Sequence, residues 1–233
     1  MLCPICGFEN SKFNVKCKNC AAFLQDQVYV LNLFEILSLL FVNPSKGFHK
    51  IILSKRKKFF QFYLLRFLEL RCLWMFFYFA KAGEKFENLI FLILNMLWLG
   101  VILGGLFVFL ISLILKALLF KYRDIKFKDY FAIVSYSAFP LALSVLFLLP
   151  SILAVFGIYY FTESPEPDKL KPIPFYIFYG IGWILKAYSV LLLLFGLKHI
   201  TENFFESLIY VLLTSISSLV LLNLLTEAVK IML

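Results

Sequence analysis

The sequence predicts an all-α integral membrane protein: a five-span helical bundle preceded by a small four-cysteine zinc knuckle and amphipathic interfacial helices. Three observations lead there. The chain is 62% hydrophobic and only 16% charged, with 29 phenylalanines in 233 residues, whereas a water-soluble domain carries nearer a quarter charged residues. Long stretches contain no charge at all. The first twenty residues hold two cysteine pairs, in a segment too short and polar to build an apolar core. The organisation read from these features is a knuckle over 1–24, a linker with amphipathic helices over 25–58, and a membrane domain over 59–233.

The pairs are Cys3-Pro-Ile-Cys6 and Cys17-Lys-Asn-Cys20. Two residues between ligands let one tight turn aim both sulfurs at a single ion, and two such pairs close a tetrahedral thiolate site. Gly7, directly after Cys6, suits the backbone bend that follows. A redox dithiol, a disulfide pair and an iron–sulfur site use the same residues, but the repeated pairs beside Lys12, Lys16 and Lys18 favour structural Zn2+ on Cys3, Cys6, Cys17 and Cys20. Metal binding would then supply the folding free energy of the segment. Thiolate ligands need a reducing compartment, which places the N-terminus in the cytoplasm. The polar, cysteine-rich start predicts no cleavable leader. Cys72 stands alone in an apolar stretch and reads as a buried small side chain.

Between Tyr29 and Val42, Leu33, Leu37 and Leu40 recur at helical spacing while Asn32, Glu35 and Ser38 interrupt the run. This helix is too short to cross a bilayer that needs roughly twenty residues, so it should lie on the membrane or pack on the bundle. Asn43-Pro44 ends it and opens another, with Asn43 as N-cap and Pro44 at the first helical position. Phe48, Ile51 and Ile52 then share one side, with Lys46, His49 and Lys50 near the other.

Four segments read as spans. Residues 88–115 and 130–162 carry no charge, 172–197 only Lys186, and 207–226 none; each exceeds the roughly 18 apolar residues that mark a transmembrane helix. Pro140 and Pro150 divide the second, predicting a surface helix over 127–138 and a span over 139–160 kinked near Pro150. A fifth stretch, 59–80, holds Arg66, Glu69 and Arg71. A central charge costs about 2.5–3.5 kcal/mol against roughly 0.3–0.6 returned by each Leu or Phe, so hydropathy alone leaves it balanced. An Arg66–Glu69 pair one turn apart would lower the cost.

Charge distribution decides the parity. The 116–129 loop holds Lys116, Lys121, Arg123, Lys126 and Lys128 and should be cytoplasmic. The 163–171 loop is near neutral and should lie outside. With the N-terminus also inside, an even number of crossings must precede residue 116, so 59–80 must cross with 88–115. The expected spans are 59–80, 88–115, 139–160, 173–197 and 207–228, with the C-terminus outside.

The formal charge is +9, and residues 1–58 hold nine Lys and Arg against Glu9, Asp26 and Glu35. No recognition helix accompanies this excess, which argues against nucleic acid. Lys55, Arg56, Lys57 and Lys58 abut an apolar segment, the pattern of a juxtamembrane cluster drawn to anionic headgroups, at about 1 kcal/mol per charge.

The stretch Asn43-Pro44-Ser45-Lys46-Gly47-Phe48, the tract Phe127-Lys128-Asp129-Tyr130 leading to Ser135-Tyr136-Ser137-Ala138-Phe139-Pro140, and the run from Trp183 to Phe195-Gly196-Leu197-Lys198 together resemble the Ypt-interacting-protein (Yip) family. The resemblance covers roughly residues 30–230. It implies a five-span bundle with a cytosolic N-terminus; eukaryotic members act in vesicle traffic between endoplasmic reticulum and Golgi and contact Rab-type GTPases. The Asp-Leu-Tyr-Gly-Pro stretch of those members is missing from this sequence. What carries over is membrane organisation or the recruitment of a membrane or cytosolic protein partner.

Further candidates lie within the spans. Lys186, near the middle of its helix, is a candidate intramembrane polar site; it could also snorkel or pair with a buried carbonyl. Gly100, Gly104 and Gly105 form a small-residue face for close helix packing, and Gly180 and Gly182 invite the same reading. Enzymatic signatures are missing: His49 and His199 have no carboxylates at ligand spacing, and no nucleophile elbow or phosphate loop is present. The expectation is a non-enzymatic scaffold. The alternative, a transporter or channel component using Lys186 and the proline-kinked span, lacks the internal repeat that such folds show.

Overall fold

The computed structural model describes residues 1–10, 13–25, 32–54, 68–69, 71–72, 74–86, 88–122 and 125–232. The predicted 59–80 span therefore falls partly outside the described residues, as do Arg66 and the Lys55–Lys58 cluster. The described parts of 68–80 are mainly helical.

Two short helices precede the long ones. α1 spans Leu33–Val42 and α2 spans Pro44–Leu53. The break falls at Asn43, whose side chain accepts from the Lys46 N–H at 3.2 Å, with Pro44 opening α2. Proline has no N–H to lose at that position and its φ already suits a helix. The hairpin is closed by the Lys50–Glu35 ion pair and by the approach of Gly47 to Leu40, where an added Cβ would lie 3.1 Å from Leu40 Cδ2. α2 buries Phe48, Ile51, Ile52 and Leu53 against the bundle.

α3 (Leu89–Leu118) starts at Asn88, whose side chain accepts from the Ile90 N–H at 3.0 Å. α4 (Phe127–Ser137) and α5 (Phe139–Phe156) follow, separated at Ala138, and a 3-10 turn continues α5 through Phe161. A single turn at Pro167–Leu170 leads into α6 (Pro172–Thr201), and α7 (Phe204–Met232) completes the chain. Among the described residues, four helical stretches are long and apolar enough to cross a membrane: Leu89–Leu118, Phe127–Phe161, Pro172–Thr201 and Phe204–Ile231. Thirty residues of helix extend about 45 Å, more than the hydrocarbon thickness of about 30 Å. Within the helices, hydroxyls return to their own backbone: Ser112 donates to the Val108 carbonyl at 2.7 Å and Thr214 to the Tyr210 carbonyl at 2.6 Å. Such bonds satisfy polar groups where water is absent.

The interior divides into two apolar clusters. One gathers α1, α2 and α4 with the C-terminal parts of α3 and α6, around Phe48, Ile133, Leu115 and Leu197. The other gathers Trp74, Phe76 and Phe77 with Leu92, Ile152, Phe161 and Val229. Phe107 packs against both. The loops sort with them. The 3-10 turn at Ala82–Lys85 lies against the turn at Gly157–Phe161, where a Cβ on Gly83 would sit 2.9 Å from the Ile158 carbonyl oxygen. Glu84 accepts from the Glu163 N–H at 2.8 Å, and Lys85 reaches the Lys230 carbonyl at 3.5 Å.

α4 departs from the surface position expected for 127–138. Tyr130 and the run from Ala132 to Ser137 are buried, and the helix packs against α2, α3 and α6. Its small residues Ala132, Ser135 and Ser137 let neighbouring helices close over more than one face, which a periodicity reading of one apolar side does not reveal.

Candidate metal centre and its seat on the bundle

The knuckle is a repeat of fourteen residues. Leu2 bridges Glu9 and Lys16 bridges Phe23, both antiparallel. Between the bridges, the Gly7 N–H donates to the Cys3 carbonyl at 3.0 Å and the Ala21 N–H to the Cys17 carbonyl at 3.1 Å. Cys3 N–H donates to Phe8 at 3.0 Å, and Cys17 N–H to Ala22 at 2.8 Å. Each half thus turns through a positive-φ residue, Gly7 at 70° and Ala21 at 59°. Asn10 joins the halves: its amide donates to the Phe8 carbonyl at 2.8 Å and to Cys17 Sγ at 3.4 Å, while its oxygen accepts from the Lys18 N–H at 2.9 Å.

These turns bring the four sulfurs of Cys3, Cys6, Cys17 and Cys20 within 4.8 Å of one another. Cys3 and Cys20 are 3.6 Å apart, as are Cys6 and Cys17. A disulfide needs about 2.05 Å, so none joins these cysteines. A tetrahedral ion about 2.3 Å from each of four sulfurs would set them roughly 3.8 Å apart. The donor set therefore fits a closed four-thiolate site. Cys3 and Cys17 are buried, and Cys6 and Cys20 lie nearer solvent.

Electrostatics favours thiolate. The N–H of Cys20 lowers Cys17 to about 6, helped by the Asn10 amide and the Asn19 N–H against the cost of burial. The N–H groups of Cys6 and Ile5 hold Cys3 below the ordinary thiol range. The Ala22 N–H pulls on Cys20 in the same sense, but hydrogen bonding with Cys6, burial and the neighbouring Cys3 and Cys17 together push it up to about 12. Shifts of opposite sign within one cluster follow from the closeness of the sulfurs, because like charges at this distance resist full ionisation.

The knuckle is seated on the bundle. The Phe13 ring meets His199 edge-on at 5.7 Å, and Phe13 packs against the first apolar cluster. His199, near the end of α6, is in turn 3.0 Å from His49 of α2, ring nitrogen to ring nitrogen. One imidazole must donate and the other accept, so at least one is neutral. Sequence spacing could not pair residues 150 positions apart; only the shared position of both histidines beside lysines at helix borders hinted at a common level. Beneath this contact Phe48 faces Gly196, where an added Cβ would lie 3.2 Å from Phe48 Cε1 and 2.9 Å from Ile133 Cγ2.

The other singled-out residues lie deeper in the bundle. Gly104 of α3 faces the backbone of Glu69; a Cβ there would lie 2.5 Å from Glu69 Cα and 2.7 Å from its carbonyl oxygen. Gly105 faces the Glu69 carboxylate, 3.1 Å from Oε1 by the same measure. The surroundings of Gly100 lie outside the described residues. A Cβ added at Gly180 or Gly182 would meet nothing within 4 Å among the described residues, which corrects the expectation of close packing there within the bundle. Lys186 lies over the Trp183 ring at 4.7 Å and lines a cavity of about 270 Å³. Arg71 lines the same cavity; its charge was visible in the sequence, but its meeting with Lys186 was not.

No curated protein and no solved structure matches the chain. The family model of the Yip1 domain matches residues 38–226, most of the chain and every helix from within α1 to within α7. By that match the chain belongs to the Yip1-domain family of membrane proteins.

Proposed function

We propose that this protein is a non-enzymatic membrane scaffold whose zinc-bound cytosolic knuckle recruits a protein partner to the membrane, in a role akin to trafficking. The observation that carries this reading is a knuckle that touches the bundle through Phe13 and leaves other apolar side chains exposed. Phe13 is fastened to the bundle through His199, while Leu2, Ile5 and Phe23 are 70%, 76% and 65% exposed. Apolar side chains held outward on a small rigid unit suit a protein-binding surface. The closed thiolate set supports a structural ion, because a catalytic zinc keeps an open position.

Two arms test recruitment. Affinity purification in mild detergent compares the full chain with an Ile5→Ser/Phe23→Ser variant that keeps its zinc. A protein captured by the first and lost from the second, with the complex rebuilt from purified components, supports recruitment. Identical captures overturn it.

The same reading takes five spans with the N-terminus inside. Its support is the path of the chain. α2 packs near the His199 end of α6, whereas the described helical residues 68–80 lead from beside Gly104 to Ala82–Lys85, which lies against the Gly157–Phe161 turn at the far end of α5, a course that supports a fifth crossing. Reporter fusions after Ser164 and Leu233 should report the outside and a fusion after Lys121 the inside. A cytoplasmic C-terminus would reduce the count to four.

A further inference from the structure

We infer that the cavity between α5, α6 and the 71–79 segment is a binding site for the phosphate of an anionic lipid headgroup, held by Arg71 and Lys186. This inference is independent of the knuckle's role. Both cations line the cavity, and among the described residues no carboxylate does. Arg71 is 6% exposed, and its Nε has no hydrogen-bond partner. Its guanidinium lies over the Trp74 ring at 4.2 Å, as Lys186 does over Trp183 at 4.7 Å. Ring faces attract cations, but they supply no acceptor for the N–H groups. Among the described residues neither cation forms an ion pair with a carboxylate.

Two like charges facing one largely aromatic cavity among membrane helices raise each other's energy, and a buried donor left without an acceptor adds to the cost. A single anion between them offsets both. Phosphate matches the donors available: the planar guanidinium can bind two oxygens side by side, and an ammonium serves a third. Tyr160 lines the same cavity.

The surroundings select a lipid-borne anion. Leu148 and Ile152 form part of the wall, and Trp183, also lining the cavity, is 54% exposed on the outward face of a membrane helix. A ligand can therefore enter from the lipid side. At about 270 Å³ the cavity lies just below the roughly 300–1,000 Å³ of small-molecule pockets. It accommodates a headgroup and leaves acyl chains along the bundle surface.

The test uses the full chain, delipidated in nonionic detergent, titrated separately with short-chain phosphatidylglycerol, short-chain phosphatidylcholine and inorganic phosphate. Tryptophan fluorescence and thermal unfolding report binding. Phosphatidylglycerol should saturate near one equivalent and bind at least tenfold more tightly than phosphatidylcholine or inorganic phosphate. Lys186→Met and Arg71→Met should each weaken it at least tenfold, while Lys121→Gln, a surface charge, should leave it unchanged. Unaltered affinity in both cavity variants, or equal affinity for phosphatidylcholine, overturns the site. Inorganic phosphate binding as tightly as the lipid would overturn the lipid source. Should Arg71→Met fail to fold, the Lys186→Met titration decides alone.

Discussion

The knuckle and the bundle solve the same problem with opposite means. The bundle buries large side chains in two clusters and lets helices approach until backbone nearly touches backbone, as at Gly104 and Glu69. The knuckle buries almost nothing apolar apart from Cys3 and Cys17. Its order comes from short hydrogen-bonded turns that converge four sulfurs, and from Asn10 tying the two turns together. One region is stable through many weak contacts, the other through a few strong ones. They should therefore fail independently and on different insults.

The largest effect is expected from removing the ion or its ligands. Apparent binding free energies of structural zinc in small modules reach about 10–16 kcal/mol near neutral pH, far more than the knuckle's other contacts can replace. Cys17→Ser/Cys20→Ser should abolish a stoichiometry of about one zinc and expose residues 1–25 to proteolysis and fast amide exchange. The thermal midpoint of the bundle in detergent should stay put. A bundle that melts with the knuckle would show that the Phe13–His199 seat couples them; zinc retained by the variant would remove these cysteines as ligands.

The bundle should break instead at its closest approach. Gly104→Ala places a methyl group against the Glu69 backbone, which cannot rotate away as a side chain can, at a cost of about 1–3 kcal/mol. Gly105→Ala meets only the tip of the Glu69 carboxylate and should cost less. Gly180→Ala meets nothing and should gain about 0.5–1 kcal/mol from helix propensity. Thermal unfolding of the three variants should give that order, with zinc content unchanged in each. An equal response at all three positions would mean that packing against the segment at Glu69 does not hold the bundle together.

The two regions were also unequally legible. The knuckle could be read because its information is local: cysteine spacing and a glycine at the turn occupy twenty residues. The long apolar helices and the Asn43-Pro44 break were legible for the same reason. What depended on distant partners was not. Nothing near Phe13 announces that it will meet His199, and nothing near His199 points to His49. The burial of α4 on several sides comes from neighbours whose order in space the sequence does not state. Arg71 could be recognised as a costly charge, but the far wall of its cavity is made by helices that follow it by about eighty residues or more. Gly180 and Gly182 show the converse failure, where a local pattern without a neighbour promised a contact that does not form.

The smallest effect compares the knuckle with itself. Its halves repeat at fourteen residues, yet the positive-φ turn is made by Gly7 in the first and Ala21 in the second. A Cβ in the left-handed region costs roughly 1–2 kcal/mol; Ala21 carries that cost and Gly7 does not, while the turn's hydrogen bond is the same in both halves. Ala21→Gly should relieve that strain while giving back about 0.4–1 kcal/mol through the looser unfolded chain, a net gain of about 0.5–1 kcal/mol. Gly7→Ala should lose about the same. With zinc bound as proposed, folding of such a module and binding of its ion are linked, so the change should appear in competition with a zinc chelator as a rise or fall in affinity of about two- to fivefold, given that 1.4 kcal/mol is tenfold. Opposite shifts of similar size would establish the two turns as equivalent supports of one site. A loss at Gly7 with no gain at Ala21 would mean that the second turn tolerates its alanine through contacts the first does not have.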